Sequence, residues 1–431
     1  MATVLSMQDY ECDWNGGGPN PIQKPRRAEE LDVRQAVIED LILKILYLAG
    51  TLSLFELSER LQLGYELTDE LFCKLRAQSL CQVMGMSGNV PHISITAQGR
   101  VRAAELLQQC QYAGSAPVSL ESYVEQTRKQ SVQRVEVHPA DIRRAFHHLV
   151  IDDPTLDQFG TALNSGSSVL LYGPAGGGKT TIAEVLSRVL AEDEVWIPRA
   201  IEVDGQIITV FDPCLHRQVT ESAPETYDTR WVLCRRPAVM VGGELTVEML
   251  DMQFNPISKF YVSPVQMKAN NGVFIIDDFG RQRIRPDELL NRWIVPLDRR
   301  IDFLTLVGGK KIEIPFEMLV VFASNRDPAE LVDPAFLRRI QTKIKVGAIS
   351  DDQFVEIFRR MATEKSVSYE PDIPADLIAF IRGSLRQELR ACYPRDIVNQ
   401  VCWAARYEGK PPHVDHAALR RAIEAYFTVS A

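Results

Sequence analysis

The stretch SSVLLYGPAGGGKTTIAEVLSRVL, Ser167 to Leu190, constrains this chain more than any other. An apolar run leads into Gly173, Pro174, Ala175, Gly176, Gly177 and Gly178, and Lys179, Thr180 and Thr181 open an apolar-periodic helix. Such a strand–loop–helix needs glycines because the backbone N–H groups must turn inward together, at the positive end of a helix dipole. The concavity they make cradles phosphate oxygens, Lys179 can reach the outer phosphates, and the Thr180 hydroxyl can ligate Mg²⁺. A chain built this way is expected to be α/β, with the strand inside a parallel sheet.

A phosphate-bound Mg²⁺ needs a carboxylate from a neighbouring strand. GVFIIDDFGR, Gly272 to Arg281, supplies it: a buried-strand pattern ending in Asp277 and Asp278. The expected division of labour gives Asp277 the metal and Asp278 the water that attacks the terminal phosphate.

With these two motifs in place, residues from about 135 to 430 resemble the AAA+ ATPases. MLVVFASN ends in Asn325, where that family places its sensor 1 residue, and DPAFLRRI places Arg339, with Arg338 as the alternative, at the arginine-finger position. The segments DDQFVEIFRRMA, PADLIAFIRGSL, RDIVNQVCWAA and DHAALRRAIEAYF read as four helices of a small lid. Within it, YPRDIVNQV puts Arg395 at the sensor 2 position. The alternating strands of RRIDFLTLVGGKKIEIPFE, with Lys310 and Lys311 at the turn, resemble the pre-sensor 1 hairpin of the MoxR-like branch. The resemblance implies ATP and Mg²⁺ as ligands, assembly into a ring, most simply a hexamer, and a polymeric client at the pore. One position departs from the family, which normally has glutamate where Asp278 stands. A carboxylate one methylene shorter falls on the order of 1 Å short, a displacement that can cost about a hundredfold in rate.

Upstream, residues 31–112 read as three helices, a two-stranded wing around SGN and a closing helix, the pattern of a winged-helix domain. Its third helix carries Glu66, Asp69 and Glu70 against Lys74 and Arg76, the wrong sign for phosphate, so protein docking is favoured over DNA reading. The expected partition is a tail over 1–30, the winged helix over 31–112, a linker over 113–134, the AAA+ α/β domain over 135–346 and the helical lid over 347–431. The segment from Val195 to Asn271 is long for its place, with Arg235, Arg236, Gly242 and Gly243 as candidate contacts to a neighbour or client.

The net charge of -9 argues against a nucleic-acid coat, although a local basic patch could hide within it. Eight scattered cysteines without a CxxC pair suit a reducing compartment. The window LILKILYLAGTLSLF is broken by Lys44 and Gly50 and is too short to span a bilayer. A cytoplasmic protein is expected. The functional expectation is an ATPase ring that remodels a protein client, ahead of nucleic acid. The alternatives are a slow nucleotide-gated assembly platform and a DNA-binding regulator whose winged helix recruits a partner.

Overall fold

The computed structural model describes residues 3–4, 19–219, 226–331 and 333–427. Most of the expected tail, residues 5–18, and the end of the expected lid, 428–431, lie outside the described residues. Two compact units make up the chain. The first comprises Met1–Val135, Leu190–Phe274 and Glu288–Leu319; the second comprises Glu136–Val189, Ile275–Asp287 and Val320–Ala431.

In the first unit, helices Gln35–Ala49, Leu54–Leu61 and Tyr65–Ala77 precede the hairpin Cys81–Ser87 and Val90–Ile95 and the helix Ala97–Gln109. A short strand, Leu52–Ser53, missed in the sequence, pairs with the second hairpin strand through Leu52 and Ile93. It is invisible to periodicity because it is two residues long and merges into a helix. Ser53 marks the junction: its hydroxyl accepts from the Glu56 N–H at 3.1 Å, and Glu56 returns a bond to the Ser53 N–H at 2.7 Å.

The segment expected as a linker, 113–134, is packed structure. Val118–Ser119 pairs in parallel with Ala200–Val203, and helix Leu120–Lys129 follows. Tyr123 is buried on that helix, its hydroxyl accepting from Asn270 Nδ2 at 2.8 Å. The Ala-Gly-Ser-Ala-Pro composition encodes a bend, and the apolar residues just beyond it anchor the chain. The described part of the expected tail is tied down too. Asn20 and Ile22 accept backbone or indole hydrogen bonds from Asp228 (2.9 Å, to Ile22) and Trp196 (3.1 Å, to Asn20).

The long intermotif segment supplies four strands of a five-stranded sheet, in the order Gln253–Phe254, Tyr261–Val262, Gln206–Thr209, Ala200–Val203, with Val118–Ser119 as the fifth. The expected hairpin is present as Ile301–Thr305 and Lys311–Pro315. Its Leu304, Leu306, Ile312 and Ile314 share one buried cluster with Trp196, Ile201 and Tyr261. Its tip is held as well, by Val307 N–H donating to the Tyr261 hydroxyl at 2.8 Å and by an ion pair between Lys310 and Asp204. Lys311 is exposed. Arg236, a sequence candidate for an external contact, is instead an internal clamp. It is buried, pairs with Asp193 at 3.0 Å and donates to the carbonyls of Gln130 and Asn271 at 2.7 Å each.

The second unit carries the sheet that sets the site. Neighbouring strands run in the order Val273–Ile276, Leu319–Ser324, Ser168–Tyr172, Thr342–Lys345, with Ile275 and Ile276 of the first strand falling in this unit. Ser168–Tyr172 is parallel to both of its neighbours, with Val321 opposite Val169 on one side and Ile344 opposite Leu171 on the other. All six residues of Leu319–Ser324 are buried, as a strand covered on both faces requires. Four helices follow, Asp351–Glu364, Ile373–Ala379, Cys392–Glu408 and His416–Tyr426, the second widening into a π-helical stretch at Phe380–Ser384. They enclose a separate core around Phe354, Phe358, Leu377, Ile397 and Leu419.

Candidate nucleotide site

Parallel strands finish at one edge of a sheet, so loops far apart in sequence meet there. Tyr172 runs into the glycine loop, Ile276 into the two aspartates and Ser324 into Asn325. The ends are stitched together: Gly173 N–H donates to the Ser324 carbonyl at 3.3 Å, and Phe279 N–H to the Ala323 carbonyl at 2.7 Å.

The loop Gly173–Gly178 leads directly into helix Lys179–Ala191. Gly173, Gly176 and Gly178 have φ of 140°, 81° and 91°, the region open to glycine. Gly173 is also sterically fixed, because a Cβ there would fall on the Val346 carbonyl oxygen. Lys179 is buried, its ammonium donating to the carbonyls of Gly173 at 2.9 Å and Pro174 at 2.8 Å. Burial lowers its pKa, an effect opposed by the nearby charges of Asp278 and Asp277 and reinforced by Arg390.

Thr180 and Asp277, 97 residues apart, are in contact: the threonine hydroxyl lies 3.0 Å from each carboxylate oxygen. Asp277 is fixed from behind, its backbone carbonyl accepting from Gln282 Nε2 at 2.7 Å. Asp278 is held by Asn325, whose Nδ2 donates to its carboxylate at 2.7 Å. Two sequence candidates expected to share the hydrolytic centre are therefore paired. Asp278 also has φ of 50°, a left-handed conformation that aspartate tolerates better than longer side chains. A turn closes behind it through Arg281 N–H and the Asp278 carbonyl at 3.0 Å.

The arginines are placed differently. Arg339 follows the short helix Pro334–Leu337, its guanidinium lying over the Phe336 ring at 5.4 Å and its carbonyl accepting from the Ser168 hydroxyl at 3.1 Å. Arg338 is exposed. Arg395 pairs with its neighbour Asp396 at 2.9 Å and is 57% exposed. The arginine at the loop is Arg390, which sequence reasoning missed. Its aliphatic arm lies 3.7 Å from the position a Cβ on Gly176 would take, and Cys392 N–H donates to the Gly176 carbonyl at 3.1 Å. The guanidinium of Arg390 rests over the Tyr393 ring at 5.6 Å, and its buried Nε has no hydrogen-bond partner among the described residues. The sequence signal was weak, since Arg390 precedes the helix Cys392–Glu408 and has no motif around it.

Among the described residues no three His, Cys, Asp or Glu side chains gather into a metal-holding group, and no helix is long and apolar enough to cross a membrane. The Thr180–Asp277 pair offers hard oxygen donors of the kind Mg²⁺ takes when phosphates and water complete its shell.

Residues 350–425 match the family model of a domain of unknown function (DUF8689). No curated protein matches the sequence. Among solved structures, the Thermotoga maritima RuvB Holliday junction branch migration motor is similar at 14% identity, covering 64% of this chain and 69% of that one with a TM-score of 0.38. NtrX from Brucella abortus, solved in complex with ATP, is similar at 13% identity, covering 76% of this chain and 67% of that one with a TM-score of 0.37.

Proposed function

We propose that this chain is an AAA+ ATPase that binds Mg²⁺-ATP at the Gly173–Thr181 loop, hydrolyses it with Asp278, and works as a ring on a protein client. The observation that carries the reading is the contact of Thr180 with both oxygens of Asp277, which supplies a hydroxyl and a carboxylate beside a glycine loop. Loop N–H groups and Lys179 would bind the phosphates, and Thr180 with Asp277 would hold the metal. When bound, Mg²⁺ would neutralise phosphate charge. Asp278, oriented by Asn325, would accept a proton from the attacking water. Arg390 would reach the nucleotide from the lid side ahead of Arg395.

Arg339, with Arg338 beside it, is proposed as the finger that completes a neighbour's site, which makes assembly a condition of turnover. Residues 31–112 are proposed as a winged-helix module. The three helices and the three-stranded sheet in that stretch support this assignment. Protein docking is favoured because Lys74, one of the two cations on its third helix, is engaged by Glu70 at 2.7 Å and Gln35 at 3.2 Å. A nucleotide-gated platform with slow turnover is the second reading, favoured by the aspartate at the catalytic position.

The experiment is ATP turnover and sedimentation measured together, with and without Mg²⁺. Turnover that appears with Mg²⁺-dependent assembly supports the ring ATPase. Assembly without turnover supports the platform, and failure of ATP to bind sinks both.

A further inference from the structure

A cavity of about 480 Å³ lies within the first unit, well away in sequence from the glycine loop. That is the size range of metabolite sites. One wall is the helix Gln35–Ala49, in which Lys44 interrupts a run of buried apolar residues, with Leu43 and Ile45 on either side. Lys44 is 7% exposed, and its ammonium makes one hydrogen bond among the described residues, to the Cys110 carbonyl at 3.4 Å. Asp40, one turn earlier on the same helix, favours the charged form of Lys44 from nearby, and a bound anion would add to that compensation.

Asp40 is shared with a second cation. Of the cavity's two carboxylates, Asp40 is engaged by Arg102 at 3.8 Å and Asp204 by Lys310. The lining also includes Tyr261 and Ile207, both buried, alongside the polar Gln206 and Lys259. The Tyr261 hydroxyl accepts from Val307 N–H at 2.8 Å, which leaves its own proton to donate. We propose that this cavity binds a small organic monocarboxylate with an aromatic or branched apolar body, Lys44 serving as its counter-ion. The lining carries Arg34, Lys44 and Lys259 against Asp40 and Asp204, a net single positive charge that matches one carboxylate, and Tyr261 and Ile207 match the body. Burial holds the Lys44 ammonium below the usual lysine range, a penalty that a bound carboxylate would relieve.

Benzoate is the probe. In the full chain, a millimolar benzoate series should raise the melting temperature saturably. In Lys44→Met the apparent dissociation constant should rise by about tenfold or more, the loss of a charge-assisted contact. A second measurement needs no variant: trace acetylation by acetic anhydride, mapped by mass spectrometry, should show Lys44 protected by benzoate while exposed Lys129 and Lys410 react unchanged. An equal melting shift in both proteins, or no shift together with no protection of Lys44, overturns the proposal. Should Lys44→Met fail to fold, the protection experiment decides alone.

Discussion

Asn325 Nδ2 donates to the Asp278 carboxylate at 2.7 Å, joining the ends of two strands whose residues stand 47 apart in sequence. The contact fixes the direction of a short carboxylate whose backbone is left-handed, with φ of 50°. The carboxylate thus leaves the end of the strand along a path set by a left-handed residue.

Asp278→Glu should therefore slow hydrolysis. A longer side chain is poorly accommodated in the left-handed region and would lose its aim from Asn325, a displacement that can cost up to about a hundredfold. Asp278→Asn should bind ATP and leave it intact, since an amide is a poor proton acceptor. Single-turnover rates of the two variants check both statements; a faster Asp278→Glu would mean that the backbone had not adapted.

Lys179→Ala should weaken ATP binding by roughly 10- to 100-fold, the range of a hydrogen bond to a charged group. Titration calorimetry reads it directly. An unchanged affinity would remove the loop from the phosphate site.

Arg339→Ala should spare ATP binding and lower turnover by about 10³- to 10⁵-fold, as loss of a finger supplied by a neighbour does. Full turnover in a preparation shown to be monomeric by sedimentation would exclude an arginine supplied between subunits.

Arg390→Ala should reduce ATP affinity more than Arg395→Ala. The reason is position: Arg390 lies against Gly176, whereas Arg395 is paired with Asp396 and faces solvent. The reverse order of dissociation constants would restore Arg395 as the lid arginine.

His216 should make the first unit acid-sensitive. Its pKa is lowered to about 4 chiefly by burial, and its ring is locked between the Asp212 N–H at 2.9 Å and the Lys268 carbonyl at 2.8 Å. With the folded pKa below the unfolded value near 6.5, the unfolded chain binds more protons between about pH 6.5 and 4, and stability falls as pH drops through that window. The full effect is about 3 kcal/mol. Urea unfolding at pH 7.5 and pH 5 should show a smaller difference for His216→Gln than for the parent.

The sequence by itself determined the glycine loop, Lys179, Thr180, the two aspartates, Asn325 and the four C-terminal helices. Each is written locally, in a backbone that needs glycine, in an apolar run ending in acids, or in helical spacing. Tertiary structure decided what depends on which distant segments meet. It placed Thr180 on Asp277, turned Asp278 left-handed and brought Arg390 to Gly176. It also drew the expected linker and hairpin into one buried cluster, through Val118 and Leu304. Composition marks such segments as turns or exposed pairs because it records their polar residues. Burial is settled by the few apolar side chains among them, and those find their partners only when the sheets assemble.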